Sequence, residues 1–403
     1  MAQIKSISAE FTMRHHYPVL FDQDVFNYNN PLLCDLLAND NSQRLVLVYI
    51  DNGVHRANPQ LQAQITNYFD HHQSQLKLLA SPLVIVGGEA AKTQQQIEQR
   101  YQQLLEYQVD RHCCVIAIGG GAVLDAVGYA CTTFHRGVNL VRMPSTVLAQ
   151  NDAGVGVKNG FNLADKKNLI GTFSPPLAVV NDAVLLANLA ERDKRAGLAE
   201  AVKVAAIRDA EFFEWLERNA EALSQFEPQT SQYAIARCAE LHIKQITKAG
   251  DPFETGSARP LDYGHWSAHK LEAMTNYSIR HGEAVAIGMA LDARYAVNVG
   301  FLPQAEADRL IGLLRQLGFS LWHEQLASLD ENGLPIVLSG IEDFRQHLGG
   351  ALCITLVAQM GLGEEVNTIN QEAMIEALAW LEDSVLEDSA LEGHVLEDSV
   401  NEC

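Results

Sequence analysis

Short apolar runs alternate with longer amphipathic stretches through the first half of the chain. "RLVLVYID" (44–51), "SPLVIVGGE" (81–89), "CCVIAIGGG" (113–121) and "PLAVVND" (176–182) have a strand's length and end in turn or polar residues. Such runs are the mark of strands in a buried sheet. Segments 57–79 and 92–109 lie between them with helical periodicity, and "GVNLVRMPST" (137–146) adds another strand. This alternation predicts a parallel sheet with helices on both faces. After residue 182 the period changes. "LAERDKRAGLAEAVKVAAIRDAEFFEWLERNAEAL" and most of the chain to 320 repeat at helical spacing. The expected organisation is an α/β nucleotide-binding domain over 1–182 and an all-α domain over 183–380, with a site in the cleft between them.

"DAGVGVKNG" (152–160) and "DKKNLIG" (165–171) read as loops rich in Gly, Lys and Asn. From 381 to 403 the chain repeats "LEDSV" and its variants every five residues, a period that keeps no apolar face on a helix. That tail reads as an acidic, disordered extension without chemistry of its own.

Composition narrows the function. With 403 residues there is enough chain for two filled cores, and 47% hydrophobic with 20% charged residues is ordinary for a soluble enzyme. Fifty acidic residues against 29 basic ones argue against nucleic acid and anionic membranes as partners. Any cation that serves an anionic substrate must therefore sit in a pocket. The N-terminus has no apolar signal region, no run reaches the roughly 18 residues of a spanning helix, and the seven scattered cysteines form no CxxC pair. A cytoplasmic protein with free thiols is expected.

Three constellations carry candidate chemistry. In "VIAIGGGAVLDAVGYA" glycines join a strand to a helix that begins near Ala122. Glycines admit close approach of a pyrophosphate, and the helix N-terminus attracts it. Asp51, at the end of an earlier strand, can accept ribose hydroxyls, while Glu89 and Lys92 follow the next strand at the same sheet edge. In "GHWSAHKLEAMTNYSIRHGE", His265 and His269 share one helical face and His281 opens the next helix. An isolated histidine pair at this spacing is more often structural. Glu200 and Lys203, one turn apart in the Ala/Val-rich "GLAEAVKVAA", change the balance, because a buried carboxylate there needs a cation. One Glu with two His is a catalytic zinc set. Lys158, Lys167, Asn168, Arg136 and Lys244 are candidate phosphate donors.

Taken in order, "GGGAVLDAVGY", "HRGVNLVRMPSTVLAQNDAGVGVK", "KKNLIGTF", "AGLAEAVK", "GHWSAH" and "HGEAVAIGMA" resemble the sugar phosphate cyclases, the superfamily of 3-dehydroquinate synthase, from about residue 44 to 365. The resemblance implies a nucleotide-binding α/β domain, a helical domain, and a cytoplasmic homodimer using NAD+ and Zn2+, with Co2+ as an alternative. It implies Glu200, His265 and His281 as metal ligands. Lys158, Asn168, Lys203, Lys244 and His269 become substrate or phosphate contacts, with Arg136 reaching the phosphate held by a neighbouring subunit. Asp51, Glu89, Lys92, Gly120, Gly121, Asp125, Ser145, Thr146 and Asp152 become NAD contacts, to which Lys167 is added.

One stretch departs from the dehydroquinate synthase pattern. "SARPLDYGH" has Asp262 where those enzymes have Asn, and Ala258 in place of an arginine, with Arg259 one position off. A carboxylate added beside a substrate carboxylate repels it. The departure, together with "GVKNG" and "FRQHLGG", which contributes His347 to the pocket, resembles the 2-epi-5-epi-valiolone synthase branch and the dehydroquinate-synthase-like proteins of ebo-type gene clusters. The expected substrate is then sedoheptulose 7-phosphate, and 3-dehydroquinate synthase proper is the alternative. The implied reaction oxidises a ring hydroxyl, eliminates phosphate, returns the hydride and closes a carbocycle by an intramolecular aldol step. A metal-dependent polyol dehydrogenase would share the glycine turn without needing the phosphate lysines. A noncatalytic binding homologue would be expected to lack one of the ligands or glycines.

Overall fold

The computed structural model describes residues 8–38, 42–164, 166–248, 261–347, 350 and 352–384. Among them the strands are β1 (Val19–Asp22), β2 (Arg44–Asp51), β3 (Leu76–Leu78), β4 (Leu83–Ile85), β5 (Cys114–Gly119), β6 (Asn139–Pro144), β7 (Lys158–Leu163), β8 (Lys166–Phe173), β9 (Ala178–Asp182), β10 (Ile354–Gln359) and β11 (Leu362–Val366). Seven form one parallel sheet in the order β1-β9-β6-β5-β2-β3, and β4 pairs with β2 beyond β3.

Alternate residues of the central strands serve opposite faces. Val46, Val48, Ile50, Ile116 and Ile118 pack on one side with Ile65, Tyr68 and Phe69 of the Leu61–His71 helix. Leu47, Tyr49, Val115 and Ala117 pack on the other with Leu104, Val123 and Val127. Both faces are covered, so β5 is buried at every position and reads as an unbroken apolar run.

In the second half of the chain, the Glu191–Arg208 helix is buried at every residue from Ala196 to Ile207. Helices and the β10–β11 hairpin pack around this stretch and leave it no polar face, and it carries Glu200 and Lys203 inward. The helices His265–Met274, His281–Asn298 and Gln304–Gln316 share one continuous core with it.

The structure corrects some local expectations. Segments 152–160 and 165–171, expected as loops, contain the antiparallel pair β7 and β8, with Lys158 opposite Phe173. The exposed β8 shows no apolar alternation, so the strand signal is missing from the sequence. The region read as helical ends in the hairpin of β10 and β11, which buries Ile354, Leu356 and Val357. A helix over residues 371–384 buries Leu381, inside the stretch read as tail. Residues 385–403, Ala258 and Arg259 lie outside the described residues, as does the side chain of His347.

Candidate active site

Backbone approach brings the metal-type ligands together. Gly264 adopts φ +75°, which L side chains rarely take, just before His265 opens its helix. A Cβ on Gly282, the neighbour of His281, would stand 1.8 Å from the carbonyl oxygen of Ala196. Only glycine lets the His281–Asn298 helix press onto the helix that bears Glu200. Asp292 Oδ2 accepts from Gly264 N at 3.1 Å and its Oδ1 from Trp266 Nε1 at 2.8 Å, which pins the start of the His265 helix.

Glu200 is fully buried. Its Oε1 lies 3.9 Å from His265 Nε2 and 3.7 Å from His281 Nε2. These separations are too long for hydrogen bonds and a little above the roughly 3.3 Å between two ligands of one tetrahedral zinc. Lys203 pairs with Oε2 of Glu200, and Oε1 has no hydrogen-bond partner among the described residues. A buried carboxylate so placed fits a cation shared with the two imidazoles.

The imidazoles are turned for that role. His265 Nδ1 donates to Tyr263 O at 3.0 Å, and burial, with Lys203 and the neighbouring histidines, holds His265 well below its usual range, hence neutral. His281 Nδ1 faces Glu272 Oε2 at 3.2 Å. Burial would lower His281, but Glu272 and Glu200 outweigh it and raise its pKa. In both rings Nε2 is left for Glu200's side. His269 is exposed, with its ring 5.5 Å from that of His265 and 5.9 Å from that of His281. With Glu272 and His281 it forms a second group of closely spaced donor atoms.

Lys203 is 2% exposed. Burial would lower its pKa, but Glu200, Asp152 and Asp262 raise it, so it is a cation and Asp262 acts at this point of the cleft. Lys158 opens β7 and is exposed. Lys244 pairs with Glu240 on its own helix at 2.6 Å. Arg136 lies exposed in a turn with φ 64°.

The candidate cofactor residues gather at the carboxyl ends of the strands, the usual ligand edge of such a sheet. The helix Gly121–Thr133 starts directly after β5, and a Cβ on Gly121 would come within 3.0 Å of Ala153. Gly119 to Gly121 thus form a tight cradle beneath a helix N-terminus, which fits a pyrophosphate. Asp51 Oδ1 accepts from Gly53 N at 2.6 Å and caps the next helix. Lys92 Nζ reaches Asp125 Oδ2 at 2.7 Å and also Asn168 Oδ1, so Asn168 stands with the cofactor group. Glu89 accepts from Asn162 at 2.6 Å. Thr146 Oγ1 accepts from Ala149 N at 3.1 Å, and Ser145 is buried beside it. Lys167 Nζ lies 3.2 Å from Glu272 Oε1 and 4.1 Å from the Tyr277 ring centroid, so it meets the metal-side helix.

Three residues of the site have little signal in the sequence. Glu272 lies one turn beyond His269 but resembles a solvated helix acid. Arg142, inside a strand run, is fully buried and donates to the carbonyls of Gly154, Gly156 and Lys158 and to Asn159 Oδ1. His242 meets Asp152 across the cleft.

Comparison with known proteins gives the family. Residues 82–196 match the model of the 3-dehydroquinate synthase N-terminal region and residues 197–333 that of its C-terminal region. A 3-dehydroquinate synthase of Xanthomonas oryzae pv. oryzae is 36% identical over 305 residues, which are 74% of this chain and 80% of that protein. This chain belongs to the 3-dehydroquinate synthase family. A family member from Halorhodospira halophila is 43% identical over 232 residues, 57% of this chain and 65% of its own length. The 2-epi-5-epi-valiolone synthase ValA of Streptomyces hygroscopicus subsp. jinggangensis, solved with NAD+ and Zn2+, is 28% identical, with TM-score 0.82 over 94% of this chain and 100% of its own. An NADH-dependent butanol dehydrogenase of Thermotoga maritima, at 13% identity, TM-score 0.61 and coverage of 92% and 98%, shares the fold.

Proposed function

We propose that this protein is a sugar phosphate cyclase, a phosphate-eliminating carbon–oxygen lyase that uses NAD+ catalytically together with a divalent metal. The observation that carries the reading is Glu200, His265 and His281 converging beside the buried cation Lys203. Glu200, His265 and His281 would hold the metal, Zn2+ or Co2+, and the Gly119–Gly121 cradle with Asp51, Lys92 and Asp125 would hold NAD+. When bound, NAD+ supplies reversible hydride exchange and the metal supplies Lewis acidity. Lys203 and Lys158 attract the phosphate and stabilise its charge as it leaves. Buried walls around Lys203 keep water from weakening that attraction. His269, exposed beside the two ligand histidines, would contact the substrate or its phosphate. In this reading the protein is cytoplasmic, and a second copy receives Arg136.

For the substrate, the relatives at 36% identity and above support 3-dehydroquinate synthase, with its carboxylate-bearing sugar phosphate. Asp262 supports a second substrate, sedoheptulose 7-phosphate. Its charge acts on Lys203 inside the cleft, where it would repel a carboxylate and accept a hydroxyl. The likeness to ValA supports the same alternative.

Both substrates are to be offered to the NAD+- and Zn2+-loaded protein while phosphate and NADH are followed together. Phosphate release without accumulating NADH is expected, and the faster substrate assigns the branch. NADH accumulation without phosphate would mean a dehydrogenase. No change in either would defeat the cyclase reading.

A further inference from the structure

Asp152 lies in the turn Ala149–Ala153, just past β6, where the sheet meets the helical half. Its Oδ1 lies 2.7 Å from Nδ1 of His242, on the helix Pro228–Lys248. Burial would raise the Asp152 pKa, but His242, Lys203 and Lys158 outweigh it and keep the carboxylate ionised. An ionised carboxylate only accepts, so the proton of the pair sits on Nδ1. The other ring nitrogen faces Gly156, where a Cβ would stand 3.4 Å from Nε2. Only 14% of the His242 side chain is exposed. One turn before it on the same helix, Cys238 is fully buried, so this face of the helix is packed against its neighbours. Neither the metal group nor the phosphate cations require an imidazole here.

We propose that His242 is a positioning residue for Asp152. Donation from Nδ1 to Oδ1 sets the plane of the carboxylate and presents Oδ2, beside Lys203 and Lys158, to a secondary hydroxyl of a sugar phosphate, in place of the NAD+ contact that the resemblance implies for Asp152. Lys203 and Lys158 then meet the phosphate of a substrate whose polyol chain is already oriented. The proposal rests on the cyclase reading and concerns how His242 holds the carboxylate in place.

The test uses the full-length protein loaded with NAD+ and Zn2+, with H242N and H242L compared. The Asn amide can donate from nearly the same place, and Leu cannot. H242L is expected to lose about 100-fold in kcat/KM through misplacement of the carboxylate, while H242N retains at least about a third of wild-type turnover. Equal losses in the two variants, or wild-type turnover in H242L, would overturn the proposal. Side-chain 15N NMR of His242 reads the contact without turnover. A ring protonated at Nδ1 is expected, and one protonated at Nε2 alone would overturn it. If wild-type protein releases phosphate from neither sugar, the cyclase reading fails, and the ring tautomer still decides the contact.

Discussion

Glu272 Oε2 lies 3.2 Å from Nδ1 of His281, and the other oxygen of Glu272 lies 3.2 Å from Nζ of Lys167. One buried carboxylate therefore joins a candidate metal ligand to the β7–β8 hairpin of the sheet-bearing half. Burial would raise Glu272, yet His281 and Lys167 bring its carboxyl down to about 2. Carboxylates behind ligating histidines fix the ring and strengthen the ligand. E272Q is expected to weaken Co2+ binding about 10- to 100-fold, measured by chelator competition and by the visible absorption of the Co2+ protein. K167A should move both readouts less, because His281 keeps its acceptor.

Removing Glu200 has two consequences. E200A should abolish stoichiometric zinc, read by metal analysis after gel filtration. It also leaves Lys203 buried without its nearest anion, and loss of one partner of a buried pair costs about 3–5 kcal/mol. Asp152 and Asp262 still face Lys203, so the lower end is expected, measured by urea denaturation of the metal-free proteins. H281A should lose zinc with a smaller stability loss.

Asp292 gives stability a pH dependence of definite sign. Burial pushes its carboxyl up to about 7, despite hydrogen bonds from Trp266 and Gly264. The folded chain therefore binds a proton that the unfolded chain releases near pH 4. This group's contribution is most favourable below pH 4, falls as pH rises to 7, and is level above that. The full swing is at most about 4 kcal/mol. In D292N the fall in urea midpoint between pH 5 and pH 7.5 should be visibly shallower than in wild type. Equal slopes would show that Asp292 ionises normally.

Arg142 is buried among acceptors, with Gly156 O at 2.7 Å, Lys158 O at 2.8 Å and Asn159 Oδ1 at 2.7 Å. R142M strands these groups without a donor and should cost about 3 kcal/mol or more. N159A removes one acceptor and should cost about 1–2 kcal/mol. Because the two side chains touch, the double variant should be less destabilised than the sum, as a chemical-denaturation cycle would show.

Much of the fold is legible from pattern alone. β2, β5, β6 and β9 stand where the apolar runs predict them, since strands buried on both faces must be apolar throughout. β7 and β8 escaped because the mostly exposed β8 makes no such demand, and two of the three buried positions of β7 are Asn159 and Gly160. In the site, Glu200 drew attention as a carboxylate in an Ala/Val helix, and the histidines through their spacing. Glu272, His242 and Arg142 were not legible, since an acid, a histidine or an arginine within a periodic segment looks the same whether it faces solvent or a partner.

The sequence by itself determined the sheet's main strands, the helical second half, the candidate ligand set and the family, because burial periodicity and short motifs are local properties of a chain. Only the tertiary structure decided which polar groups meet. His242 lies 90 residues from Asp152, and Lys167 lies 105 residues from Glu272. Such contacts are made where distant elements pack together, the Pro228–Lys248 helix on the Ala149–Ala153 turn and β8 beside the His265–Met274 helix. No local pattern encodes them.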